Sequence, residues 1–173
     1  MNLGILAVAM LFLGISCRKT LCKDDDLTLS RVEYKGSELK LNGYYFRSID
    51  DDRLELMVLY RNGIIFTTNV GEIKSKWWES QFMDGSFGRK VGLAKYEWGL
   101  FLINNNTIKI EKWYINECGL PVYLSNGELL NDSTFILKES RRSKDGSNYR
   151  TYNLIYHFKK FSPKPDSTNT FIP

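Results

Sequence analysis

Residues 54–67 read LELMVLYRNGIIFT, two apolar runs joined by Asn62-Gly63. Asn-Gly accepts the positive φ angles of a type I′ turn, whose twist matches that of paired strands, so this stretch predicts a tight antiparallel hairpin. A second hairpin is predicted by Leu100-Phe101-Leu102-Ile103, the polar tip Asn104-Asn105-Asn106 and the period-two run from Thr107 to Glu111. Ser125-Asn126-Gly127 and Lys144-Asp145-Gly146 mark two further turns between apolar segments. Eight strands result, at 39–47, 54–61, 64–70, 96–103, 107–115, 121–125, 133–141 and 149–161, without the strand-helix alternation of a parallel sheet. The expected fold class is all-β, an eight-stranded antiparallel meander. An up-and-down barrel is its favoured form, because closure removes the sheet's exposed edges. An open β-sandwich is the alternative.

One stretch breaks the meander. Residues 72–82 (EIKSKWWESQF) place Ile73, Trp77 and Gln81 at helical spacing without Pro or Gly, which predicts a short helix between strands 3 and 4, ended by the turn residues at 84–88. Trp77 and Trp78 cannot both face inward. One is expected to pack on the barrel rim and the other to stay half exposed, with a lid over a ligand as the competing use.

A chain of 173 residues, 43% hydrophobic and 14% aromatic, suffices for one domain with a buried core. The net charge of +4 arises from 24 basic and 20 acidic residues mixed along the chain, with no long Lys/Arg run of the kind that favours a phosphate backbone. Nucleic acid is therefore not an expected partner.

The N-terminus supplies an address. Residues 3–15 (LGILAVAMLFLGI) are apolar throughout and lead into Ser16-Cys17 and then polar Arg18-Lys19-Thr20. The run is shorter than the ~20 residues needed to span a bilayer but fits the core of a secretion signal. Leu13-Gly14-Ile15-Ser16-Cys17 resembles the bacterial lipobox, in which a small residue precedes a cysteine that becomes acylated with fatty acids such as palmitate. The resemblance implies cleavage after Ser16 and a lipoprotein anchored through Cys17 in the bacterial cell envelope. Lys23-Asp24-Asp25-Asp26 resembles an acidic signal that sends some lipoproteins to the outer face of the outer membrane, and also suits a solvated tether. The expected organisation is a signal peptide at 1–16, a lipidated flexible tether at 17–36, the β-barrel domain at 37–161 and a proline-containing tail at 162–173. Lipidation of Cys17 leaves Cys22 and Cys118 as the available pair in an oxidising compartment. A disulfide between them would staple the tether to the domain. Two unpaired thiols are the preferred expectation, since Cys22 sits in a polar leader and Cys118 follows Glu117 in a turn.

The strand count, the Asn62-Gly63 hairpin and the segment Tyr96-Glu97-Trp98-Gly99-Leu100-Phe101-Leu102-Ile103 resemble the lipocalin or calycin class. That resemblance implies a barrel whose interior or aromatic rim holds a small ligand, with Trp98, Tyr96 and Trp77 as candidate ligand-binding residues.

Catalytic groups are not brought together by spacing. The single histidine, His157, lies opposite the apolar face Tyr152, Leu154, Tyr156, Phe158 and is expected to face solvent. Asp50-Asp51-Asp52 lacks the alternating oxygens and distant Glu of a calcium loop and reads as a turn. Glu97, Glu111 and Glu139 are expected to face outward beside Lys or Arg. No metal, cofactor or catalytic residue is expected. The leading functional expectation is a non-catalytic module binding a small apolar or glycan ligand. The alternative is an envelope interaction protein with a filled barrel, acting through exposed aromatics such as Trp77, Trp78 or Trp113. Replacing Cys17 with Ser is expected to abolish fatty-acid incorporation and leave an unprocessed or soluble protein, as read by acyl labelling of cells. Continued labelling would remove Cys17 as the anchor.

Overall fold

The computed structural model describes residues 22–71, 76–86 and 94–173. The expected signal peptide, Cys17 and residues 72–75 of the expected helix lie outside the described residues.

Eight strands follow one another: β1 (Gly43–Ser48), β2 (Leu54–Leu59), β3 (Ile64–Val70), β4 (Trp98–Asn104), β5 (Thr107–Trp113), β6 (Val122–Asn131), β7 (Thr134–Arg142) and β8 (Arg150–Lys160). Each pairs antiparallel with its neighbours in sequence, and β8 returns to β1, so the sheet is a closed barrel. Between β3 and β4 lie helix α1 (Trp77–Met83) and a 3-10 turn (Lys95–Glu97).

The Asn62-Gly63 hairpin forms with β3 at its expected bounds, but its turn differs. Gly63 alone carries a positive φ of 82°, Gly63 N donates to Tyr60 O at 3.0 Å, and Tyr60 N donates to Ile64 O at 3.0 Å. This is the three-residue loop in which glycine ends a turn as a bulge, one residue longer than a type I′ connection. The expected turn at Ser125-Asn126-Gly127 does not exist. β6 runs on to Asn131, with a register shift at Asn126/Gly127 and the reversal six residues later, at 132–133. A Cβ on Gly127 would lie 2.0 Å from Ile136 O, so here glycine permits close strand approach inside a bulge.

Alternation divides the core in two. One set points into the barrel: Tyr45, Met57, Leu59, Ile65, Phe101, Ile108, Ile110, Leu129, Phe135, Leu137 and Tyr156. The other set, including Tyr44, Leu56, Val58, Phe66, Trp98 and Leu100, lies on the outside and is covered by Trp78 and Phe82 of α1, by Leu27 and Leu29, and by Phe161, Phe171 and Ile172. Because β2 is packed on both faces, its sequence lacks the polar alternation of a half-exposed strand.

That outer layer overturns the expected tether. From Cys22 onward the leader belongs to the domain. Cys22 and Cys118 form a disulfide across 96 residues, against the expectation of unpaired thiols. The acidic run is a clamp: Asp24 accepts from Lys95 at 3.0 Å and from Leu120 N at 2.9 Å, while Asp25 accepts from Arg142 Nε at 3.0 Å and Nη2 at 2.8 Å. Glu111, expected outward beside a basic residue, is 0% exposed and takes the leader's own donors instead: Thr28 N and Leu29 N at 2.7 Å and the Thr28 hydroxyl at 2.6 Å. Backbone amides satisfy that buried carboxylate where no cation reaches it. The tail lies against the barrel and is fixed there by Tyr60 OH donating to Pro165 O at 3.0 Å and Lys164 Nζ donating to Leu41 O at 2.6 Å.

A cross-link closing so long a loop constrains the unfolded chain by about 4–5 kcal/mol in the chain-entropy model. Cys118→Ser is accordingly expected to lower unfolding stability by a few kcal/mol at unchanged far-UV circular dichroism, as measured by urea denaturation. An unchanged midpoint would show that the leader is held by its hydrogen bonds alone.

Candidate functional site

The barrel is packed at one end and open at the other. At the packed end Tyr34 and Leu39 of the incoming chain plug the lumen. Tyr34 OH accepts from Leu39 N at 2.9 Å, and its ring meets Phe101 at 5.8 Å. Above this plug the Tyr45, Phe135, Phe158 and Tyr156 rings fill the bore, with Phe135 stacked on Tyr156 at 4.9 Å.

At the open end the inward positions become polar. On β1 the inward series passes from Tyr45 to Arg47, on β2 back from Met57 to Glu55, and on β5 from Ile110 to Lys112, as cross-strand pairs Tyr45↔Met57, Arg47↔Glu55 and Gly99↔Lys112 require. Two adjoining cavities of about 500 Å³ and 700 Å³ result. Arg47, Glu55, Tyr114 and Ile115 line both. Tyr123, Ser125, Ser140, Arg150, Tyr152 and Tyr156 complete the first, and Thr67, Tyr96, Glu97 and Lys112 contribute to the second. The rim is made by the four connections that follow β1, β3, β5 and β7.

Arg47 and Glu55 neutralise each other on the lumen floor. Arg47 Nη2 and Nε each lie 2.7 Å from Glu55 Oε2, and Tyr156 OH donates to the same oxygen at 2.9 Å. Burial pushes the Tyr156 phenol well up, with the Glu55 charge acting in the same direction, so it stays a proton donor. Tyr152 OH contacts Ser125 Oγ at 3.0 Å, and the Tyr114 and Tyr123 rings meet edge to face at 5.3 Å. Tyr114 keeps 41% of its surface accessible because it borders the open cavity, yet the atoms around its hydroxyl push its ionisation up by desolvation.

Lys112 is differently placed. Its ammonium donates to Thr67 Oγ1 and lies 5.1 Å from the centre of the Tyr114 ring, and among the described residues it forms no ion pair. Desolvation pushes its proton affinity below the usual lysine range. Glu55 and Glu97 oppose that shift from a distance, and Arg47 adds to it. Opposite Lys112 stands Gly99, where a Cβ would come within 2.7 Å of Lys112 Cβ and 2.3 Å of Glu111 O. Only glycine leaves room for the lysine stem.

Of the three candidate ligand-binding residues, Tyr96 alone lines the site, 37% exposed, and Glu97, expected to face outward, lines it beside Tyr96. Trp98 pairs with Phe66 on the outward face, its ring 5.2 Å from the Phe66 ring. Trp77 sits on α1 and donates from Nε1 to Gly71 O at 3.2 Å. Both belong to the outer layer, because Trp98 has the wrong strand parity to enter the lumen and α1 packs outside the wall. His157 is exposed, pairs with outward Phe46 and approaches its ring at 6.2 Å. Asp50 accepts from Arg53 at 2.7 Å within the β1–β2 turn, and Glu139 accepts from Asn126 at 2.8 Å on the outer wall. Glu97 lies in the 3-10 turn instead of in a strand. The site residues missed in the sequence, Arg47, Glu55 and Lys112, each continue an apolar inward series at period two, which is the signal that could have found them.

Because the fold depresses the proton affinity of Lys112, the unfolded chain binds that proton more tightly. The folded state is therefore penalised at neutral pH, and the penalty fades as pH rises through the folded value toward the ordinary value of about 10. Lys112→Met is expected to raise the urea midpoint at pH 7, with the gain shrinking as pH approaches about 10. A midpoint lowered at pH 7 would mean that the lysine serves stability.

Comparison with protein-family models, with curated proteins and with solved structures gives no match for this chain.

Proposed function

We propose that this chain is an exported, lipid-anchored envelope protein whose barrel holds a compact polar ligand of glycan type in its open end and performs no chemistry on it. The observation that carries the reading is the polar, tyrosine-rich mouth, with cavities of about 500 Å³ and 700 Å³, set above a filled bore. Pockets of that size accommodate a small molecule, and convergent hydroxyl, guanidinium and carboxylate groups orient it. A long apolar ligand fits poorly, because the Tyr45, Phe135 and Phe158 rings occupy the space that a chain would need.

The alternative, recognition through surface tryptophans, keeps only the half-buried Trp77 of its three named groups. Trp78 is 1% exposed and Trp113 is 3% exposed, and Trp113 Nε1 is engaged with Asp25 O at 2.7 Å. Residue 118, to which Cys22 is bonded, lies in the β5–β6 connection on the rim of the mouth. Cys22 follows Cys17 by five residue steps, which can span at most about 18 Å, so a lipid on Cys17 would keep the mouth close to the membrane surface.

Native and denaturing mass spectrometry of the chain purified from its own envelope extract tests the reading. The expected result is a reproducible extra mass, in the native spectrum alone, of a small polar molecule. A bare protein mass would overturn ligand binding and direct attention to cross-linked partners.

A further inference from the structure

Among the described residues, five charged side chains line the mouth: Arg47, Lys112 and Arg150 against Glu55 and Glu97. Arg47 is matched by Glu55 at 2.7 Å. Glu97 accepts from Thr68 Oγ1 at 3.3 Å and from Ala94 N at 3.4 Å, at the rim. Lys112 and Arg150 remain without a carboxylate at ion-pair distance among the described residues. A cation withdrawn from bulk water is costly until a counter-charge or a full set of acceptors meets it, and Thr67 supplies a single hydroxyl. Among the described residues the mouth thus has positive charge in excess and one deep ammonium incompletely satisfied.

We infer that Lys112 is the anchor for a carboxylate on the ligand, so that the ligand class is a compact acidic sugar in place of a neutral one. This inference rests on the ligand-binding reading above. The groups that face Lys112 fit it. Of the two carboxylates that act on Lys112, Glu55 is matched by Arg47 and the Tyr156 hydroxyl, and Glu97 accepts from Thr68 Oγ1 and Ala94 N at the rim. Gly99 across the strand pair leaves the stem of Lys112 unobstructed. Tyr114, Tyr123, Ser125, Ser140 and Tyr152 add rings and hydroxyls suited to sugar faces and sugar hydroxyls, and Arg150 stands at the entrance as a second cation. A fatty acid offers the same carboxylate, but its chain would have to displace the packed rings of the bore.

The test uses the full chain in detergent with two probes, glucuronate and glucose, which share a ring and differ at the carboxylate. Isothermal titration calorimetry is combined with mass-spectrometric mapping of lysine methylation. Expected are binding of glucuronate and not of glucose, slower methylation of Lys112 in glucuronate while exposed Lys35 is unaffected, and at least about tenfold weaker binding in Lys112→Met. Equal binding of both sugars, or undiminished glucuronate binding by a folded Lys112→Met protein, overturns the inference and leaves the binding reading standing. Failure of both sugars with an occupied native mass spectrum also overturns this inference alone. Failure of both with a bare mass overturns the two together.

Discussion

Closure of the sheet along the β1–β8 seam is the constraint from which the rest of the structure follows. The pairs Gly43↔Lys160, Tyr44↔Lys159, Tyr45↔Phe158 and Phe46↔His157 join the ends of the meander and turn two faces of a sheet into an inside and an outside. Close approach at the seam depends on Gly43, where a Cβ would lie 2.0 Å from Lys159 O. Once the seam is made, every inward side chain shares one bore that eight strands leave just wide enough to fill. Rings fill it at the end where the chain enters. At the other end the same parity delivers Arg47, Glu55 and Lys112, and the bore opens into a polar mouth.

Closure also creates an outer surface, and the chain covers part of it with its leader, its helix and its tail. The leader, α1 and the tail cover the outward faces of β1–β4 and the end of β5 at Glu111 and Trp113, whereas β6 and β7 carry solvated pairs such as Lys138 with Glu128 at 2.6 Å. α1 is tied to the seam from outside, since Glu79 accepts from Tyr44 OH at 2.6 Å and from Lys159. The leader is tied by a buried carboxylate, an acidic clamp and a disulfide. Its apolar content is small, only Leu27 and Leu29 reaching the outer cluster, so directional bonds do the work that hydrophobic area does elsewhere in the fold.

Strand number, order and most strand bounds were legible because turn chemistry and period-two patterning are local. Where they failed, the local signal was overridden by a distant partner. Gly127 has the sequence of a turn and the role of a bulge, because its need for space comes from Ile136 on the next strand. The leader reads as a solvated tether from composition alone. Its order comes from Glu111, Arg142 and Cys118, all more than 80 residues away. For the site, aromatic content pointed to Trp98 and Trp77, but aromatic content does not carry parity, and β4 turns Trp98 outward. Assigning parity from Ile108 and Ile110 puts Lys112 in the bore, yet a charged residue at a strand end is ordinarily read as a strand leaving the core.

The two ends of the barrel answer to different demands. Packed rings and a plugged base supply burial, and burial is what holds a domain of this size together. The mouth does the reverse, keeping tyrosine hydroxyls, an internal ion pair and an incompletely satisfied ammonium where apolar side chains would pack better. Such a departure from local packing logic persists where it serves binding, and the wall supplies the rigidity that keeps it in place. The leader then joins site and address. By bonding Cys22 to the rim, it holds residue 22 beside the mouth, so that the proposed anchor a few residues upstream and the proposed ligand entrance would share one side of the molecule. On the proposed anchoring, a ligand reaches the mouth from the membrane surface or from the layer of glycans just above it. Diffusion through the bore is closed by the plug at Tyr34 and Leu39.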